Sequence, residues 1–275
     1  MLAEYGDDAK VLAGGQSLVP LLAMRLTYID DLVDVGRIGA LQGISVRDSR
    51  VEVKATTRHA DLERDALAAR ELPLAVQAVR HVAHTAIRNR GTVGGSIAHA
   101  DPAAELPAVA VALRAEIEAT SLRGTRQIPA REFFLGHWTT ALEPDEILTA
   151  VSFPTAPGQH VAVEEVARRS GDFAITGTAC SLVVTDGVVT HAGLALFGMG
   201  STPVAADAAE AALVGTEVAE VDPDEVAELA IRATEPPSDI HADAAYRRRV
   251  GRTITAAALR RALYESHESE VPHVR

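Results

Sequence analysis

Arg88-Asn89-Arg90-Gly91-Thr92-Val93-Gly94-Gly95-Ser96-Ile97-Ala98-His99-Ala100-Asp101-Pro102-Ala103-Ala104-Glu105 sets a glycine pair between two hydroxyl residues, and Val11-Leu12-Ala13-Gly14-Gly15-Gln16-Ser17-Leu18 holds a second pair. Glycine lets the backbone take positive φ and lets main-chain amides come close to a ligand. Successive amides pointing the same way form a nest that holds an anion. Two such loops can flank one diphosphate, so the pattern points to a dinucleotide-type cofactor held largely by main chain. Thr92 and Ser96 add hydroxyl donors. Arg88 and Arg90 add positive charge, or simply form a solvated helix end. Asp101 before Pro102 suits a helix cap with proline in the first turn, and Glu105 is a candidate acceptor for ribose hydroxyls.

Around the first pair, residues 9–13 read as a buried strand and Pro20 to Arg25 as a short helix, whose N-terminus would favour a phosphate. An ordinary tight strand–helix turn would look the same, because a short glycine motif is a weak signal by itself. Leu32 to Val35 predicts a strand, and Ile44 to Val53 a hairpin turning at Asp48-Ser49. One helix is expected from Thr57 to about Glu71 and another over Leu74 to Ala86, where apolar residues recur at helical spacing. The second glycine pair then reads as a loop, followed by a helix from Pro102 to Leu113. Strands are expected at 115–119 and from Glu146 to Phe153. Pro154 to His160, with two prolines and a glycine, is the best domain boundary. Beyond it come strands at 161–167, 176–185 and 188–197, the last two joined at Asp186-Gly187, and then helices at 205–213, 223–233 and 243–265. The fold class is α+β.

The totals narrow the function. The chain has 275 residues, enough for two domains, with 47% hydrophobic but only 4% aromatic residues, so aliphatic packing dominates. A formal charge of −12 argues against a nucleic-acid surface. One cysteine, Cys180, cannot form an internal disulfide, an iron–sulfur cluster or a zinc site, and it falls in an apolar strand-like run. There is no apolar run of about 18 residues to span a membrane and no signal-peptide pattern at the start, so a cytoplasmic protein is expected. Gly198-Met199-Gly200 runs on to Pro203, not to a third glycine, and fails the dinucleotide fingerprint. No P-loop and no Gly-x-Ser-x-Gly elbow occurs. His81 and His84 lie one turn apart without further ligands at metal-site spacing. Arg168-Arg169-Ser170-Gly171-Asp172-Phe173-Ala174 is either a charged connection with an aromatic plug or a loop that brings Phe173 to a flat ring.

Taken together, residues 11–18, 88–96, 99–105 and 168–174 resemble the FAD-binding medium subunit of the xanthine dehydrogenase and aerobic carbon monoxide dehydrogenase family of molybdenum hydroxylases. The four stretches occur in the family's order and spacing over nearly the whole chain. The resemblance implies a two-lobed FAD-binding domain of the vanillyl-alcohol-oxidase (PCMH) type over residues 1–156. It implies a C-terminal domain over 160–267 with a three-stranded antiparallel sheet and helices. Carried over by position, Val11, Leu12, Ala13, Gly14, Gly15, Gln16, Ser17 and Leu18, with Thr92, Val93, Gly94, Gly95 and Ser96, would contact FAD. Glu105 matches an acidic cofactor-binding position and Leu148 an apolar one. Relatives often carry a lysine just before the arginine pair; Glu164-Glu165 stands here, so no lysine contact is carried over. Relatives also usually open with roughly twenty further residues, so an N-terminal strand and part of the first helix are expected to be missing. No residue need act as acid, base or nucleophile, because the cofactor carries the chemistry. The implied partners are a large molybdenum-cofactor subunit, a small [2Fe–2S] subunit and an external electron acceptor, in a dimer of heterotrimers. A free-standing flavin oxidase and a flavin-less assembly protein of the same fold are the alternatives.

Overall fold

The structure is a computed structural model and describes residues 2–155 and 158–264. Residues 156 and 265–267, where the two expected domains end, lie outside the described residues. After a one-turn helix, Leu2–Tyr5, comes a small parallel pair, Ala9–Leu12 with Asp31–Asp34, bridged by the helix Leu18–Ala23. A five-stranded antiparallel sheet follows, in the order Ile44–Arg47, Arg50–Lys54, Ile147–Pro154, Glu116–Ser121, Gly124–Pro129. Its central strand is the last in sequence: Ile147–Pro154 returns to pair between two hairpins and closes this half of the molecule. Asp48 and Ser49 both take positive φ at the first hairpin, as a tight two-residue turn requires.

The second half carries the sheet Gln159–Val166, Thr176–Thr185, Val188–Phe197, and the helices Asp207–Leu213, Pro223–Arg232 and Ala244–Tyr264. The expected three strands gain a fourth, the two-residue edge strand Val204–Ala205. Period-two alternation gives this sheet two dry faces. Val161, Val163, Ala179, Ala195 and Phe197 join the core of the first half. Ala162, Cys180, Leu182, Leu194 and Leu196 pack on the C-terminal helices through Ala227, Ala230 and Leu259. The helix Glu105–Ala112 is buried at every position and lies against the strand Val188–Phe197. A helix apolar all round has to be enclosed on all sides, and Gly193 permits the approach: a Cβ there would run into the Ala112 carbonyl.

Several element boundaries differ from the sequence reading. The helix expected over 57–71 is two helices, His59–Arg64 and Ala66–Glu71, separated at Asp65, whose carboxylate caps the second at the Ala68 amide (2.8 Å). The helix expected over 74–86 ends at His81. Ala83 turns to positive φ, and a one-turn helix, Thr85–Arg88, starts afresh. The helix expected from Pro102 begins at Glu105. The second glycine pair lies in the first turn of the helix Val93–His99. No helix among the described residues is long and apolar enough to cross a membrane.

Candidate functional site

The two glycine stretches meet. Gly14 lies so close to the second that a Cβ on it would collide with the Arg90 carbonyl oxygen and sit 2.8 Å from Gly91 Cα. A Cβ on Gly95 would lie 2.6 Å from Thr92 Oγ1 and 3.6 Å from the Ala13 methyl. Both loops are therefore walls of one narrow cradle.

The walls differ in what they offer. In the first loop the carbonyls are turned inward: Gly14 O accepts from Gln16 Nε2 (3.0 Å), Gly15 O from the Val19 amide (3.1 Å), Ser17 O from the Leu21 amide (3.2 Å). The amides of Gly14, Gly15, Gln16 and Ser17 donate to no protein acceptor among the described residues. Gly15 takes φ +73°, which allows the run of amides to turn. Four consecutive donors without acceptors are an anion cradle by composition.

The second loop has its amides occupied. Val93 N donates to Thr57 O (3.0 Å), Gly94 N to Ala55 O (2.9 Å), Gly95 N to Thr92 Oγ1 (3.1 Å) and Ser96 N to Thr92 O (3.0 Å). Thr92 is the N-cap of Val93–His99. A second nest of free amides, as the glycine pair alone implies, is not what these residues form. They offer close main-chain approach and the hydroxyls of Thr92 and Ser96. A Cβ on Gly94 would lie 2.6 Å from the Ala55 methyl, so this glycine serves packing against the central sheet.

The remaining candidates are placed as follows. Leu148 is buried in the strand Ile147–Pro154; its neighbour Thr149 accepts from the Ala55 amide, and Ala55 in turn accepts from Gly94. Leu148 thus reaches the second loop through one strand. Val11 and Leu12 belong to the strand Ala9–Leu12, and Leu18 is the first residue of Leu18–Ala23. Arg88 is consumed structurally: its guanidinium pairs with Glu63 (2.9 Å) and donates to Val82 O and Ala83 O, holding the helix break. Asp101 caps a turn by accepting from the Ala103 amide (2.9 Å).

Glu105 is 8% exposed, and the charges acting on it are Glu165, His81 and Asp101. Burial first, and then Glu165, push its carboxyl up to about 8, so near neutral pH it holds its proton and can donate. His81 lies 3.4 Å from Glu165 and has its pKa raised by that contact. This trio occupies the seam between the halves. A cavity of about 640 Å³ is lined by Asp101, Trp138, Arg168, Phe173 and Arg247 among others, with Phe173 and Trp138 largely exposed.

Sequence reasoning missed Arg58 and His59. Both bond to the second loop's carbonyls, yet an Arg-His pair before a helix carries no motif. Trp138 was missed too: it stacks on His99 with 6.1 Å between ring centroids, from a short hairpin that nothing in the local pattern announces.

Comparison with known proteins identifies the family. The family described as FAD binding domain in molybdopterin dehydrogenase matches residues 1–156, and that described as CO dehydrogenase flavoprotein C-terminal domain matches residues 161–262. The chain is 40% identical, over 98% of its length and 92% of the relative's, to the 6-hydroxypseudooxynicotine dehydrogenase complex subunit alpha of Paenarthrobacter nicotinovorans. It is 37% identical to the carbon monoxide dehydrogenase medium chain of Afipia carboxidovorans, over 95% of this chain and 91% of that one. Among solved structures, carbon monoxide dehydrogenase from Hydrogenophaga pseudoflava superposes with a TM-score of 0.92 at 37% identity, covering 95% of this chain and 91% of that one.

Proposed function

We infer the function from one premise: this chain belongs to the family of FAD-binding medium subunits of molybdenum hydroxylase complexes, and is an oxidoreductase subunit. We propose that the FAD diphosphate lies against the amides of Gly14 to Ser17 and that Thr92 to Ser96 close the other side. The observation that carries this reading is the contact of the two loops with the donors of one left open. The residues present fit the group: acceptor-free amides meet phosphate oxygens, and glycine at 14 lets the two loops approach closely. Ser17, Thr92 and Ser96 supply hydroxyls. Glu105, as a proton-bearing carboxyl at the seam, acts as a hydrogen-bond donor, and Leu148 as a buried support of the second loop.

When bound, FAD supplies the redox chemistry of the subunit, taking up electrons and passing them on. In this reading the electrons come from [2Fe–2S] clusters on a small partner subunit, the substrate is oxidised at a molybdenum cofactor on a large one, and an external acceptor takes the electrons from this chain. Cys180 supports the division of labour: it is buried in the second core with its thiol pushed up to about 12 by desolvation, so this chain offers no cluster ligand there. We read residues 1–156 as a vanillyl-alcohol-oxidase-type FAD domain and 160–267 as the C-terminal flavoprotein domain. The two relatives quoted are named for 6-hydroxypseudooxynicotine and for carbon monoxide at nearly equal identity. We therefore assign substrate choice to the large subunit, not to this chain.

The test is to co-express the chain with its neighbouring molybdenum and iron–sulfur subunits and purify the assembly through a tag on this chain. Retention of both partners and a two-banded flavin spectrum, bleached by substrate without air, is the expected result. A colourless chain that purifies alone would refute it.

A further inference from the structure

The second loop is held from behind by Thr57 to His59, which run antiparallel to Gly91 to Val93 with Arg58 opposite Thr92. Three consecutive carbonyls are taken from this side. The Arg58 guanidinium donates to Arg90 O. The His59 main-chain amide donates to Gly91 O (3.0 Å). His59 Nε2 lies 2.9 Å from Thr92 O. A carbonyl only accepts, so this contact puts the ring proton on Nε2. Nδ1 then carries a lone pair, and it is buried without a partner, facing Gly91, where a Cβ would sit 2.9 Å away. The residue is 5% exposed. Burial first, with Arg88 and Arg58 acting the same way, holds its pKa down to about 4, so the ring is neutral under ordinary conditions. On the other side of this clamped segment, Gly14 rests on Arg90 O and Gly91.

We propose that His59 is a positioning residue for the cofactor: by holding the Thr92 carbonyl through Nε2–H, it sets the gap between the second loop and the open amides of Gly14 to Ser17. The proposal rests on reading those loops as the FAD cradle. Its chemistry is directional. Only a donor at the Nε2 position can bond Thr92 O, while a donor at the Nδ1 position would point at Gly91 and find no acceptor.

Glutamine and asparagine separate these two positions, since the glutamine amide nitrogen falls near Nε2 and the asparagine amide nitrogen near Nδ1. The full chain carrying His59→Gln, His59→Asn or no change is stripped of flavin and titrated with FAD, reading the quenching of flavin fluorescence and the visible circular dichroism of the bound ring. His59→Gln is expected to bind within about threefold of the unchanged protein, and His59→Asn to bind at least about tenfold more weakly with an altered dichroic band. Asparagine binding as well as glutamine, or glutamine failing as badly as asparagine, overturns the proposal. If His59→Asn does not fold, His59→Gln decides alone: retention supports the clamp, and a loss beyond threefold overturns it. An unchanged protein that takes up no FAD brings down the cradle reading itself, and the proposal with it. An unchanged protein that binds FAD beside two indistinguishable variants brings down the proposal only.

Discussion

At the scale of single residues, Gly14 is the sharpest test of the cradle. Gly14→Ala would drive a methyl into the Arg90 carbonyl, a main-chain atom held in turn by Arg58, so the two loops must separate. We expect FAD affinity to fall by at least about tenfold. Gly39→Ala, where an added Cβ meets nothing within 4 Å, should bind as the unchanged protein does. Equal flavin content in both variants after gel filtration would contradict the contact. This residue's importance was legible in the sequence, because glycine pairs announce close approach. Its partner was not, because Arg90 lies far along the chain and contributes a carbonyl that any residue could supply. The proton on Glu105 was equally hidden, being a product of burial and of Glu165 in the other half. Here the sign is clear. The folded protein binds a proton near pH 7 that the unfolded chain, with an ordinary carboxyl at 4.5, has released. This group therefore favours folding below the unfolded value, and the contribution is lost as pH rises through about 8. Glu105→Gln cannot ionise. Its melting temperature should match the unchanged protein at about pH 5 and exceed it by several degrees above about pH 8. A variant that melts lower at alkaline pH would show that the carboxylate, not the acid, is the form the fold uses.

At the scale of elements, the longer strands were read well, the edge strand Gly124–Pro129 was not, and helix ends were read poorly. Val51 and Val53 alternate cleanly with the less buried Arg50, Glu52 and Lys54, and period two needs only local sequence. Helix interruptions depended on distant partners. The break at Val82–Ala83 is stabilised by Arg88 donating to both carbonyls while anchored on Glu63. The glycine pair at 94–95 enters a helix because Thr92 caps it and Ala55 and Thr57 accept its first amides. Helix propensity alone argues against two glycines there. The cap makes this short helix conditional. Thr92→Ala removes the acceptor for Gly95 N (3.1 Å) and is expected to cost about 1 kcal/mol in urea unfolding, with weaker FAD retention. Thr92→Ser, which keeps the oxygen, should restore both; a serine variant as unstable as alanine would assign the loss to the threonine methyl.

At the scale of the molecule, Pro154 to His160 was expected as the domain boundary, but a boundary does not tell how the flanking halves hold together. Besides the aliphatic core they share, a buried carboxylate bridges them. Glu210, 4% exposed on the helix Asp207–Leu213, accepts from the Leu194 amide (2.9 Å), Arg114 (2.5 Å) and Arg131 (2.7 Å). Arg131 also pairs with Asp207. Leu194 and Glu210 lie after the linker, Arg114 and Arg131 before it, so one side chain pins the second sheet to the first half beside the enclosed helix Glu105–Ala112. Removing one member of a buried charge cluster leaves the others uncompensated, which typically costs about 3–5 kcal/mol. Because Arg114 is half exposed and can reach water, the lower part of that range applies. Glu210→Ala should therefore lower the midpoint of thermal unfolding and, in calorimetry, split one transition into two as the halves uncouple. Glu210→Gln, which can still accept from the Leu194 amide but lacks the charge, should fall between. A single transition at an unchanged midpoint for Glu210→Ala would mean that the aliphatic core shared by the two halves, with Val161, Ala195 and Phe197 in it, couples them without the ionic pin.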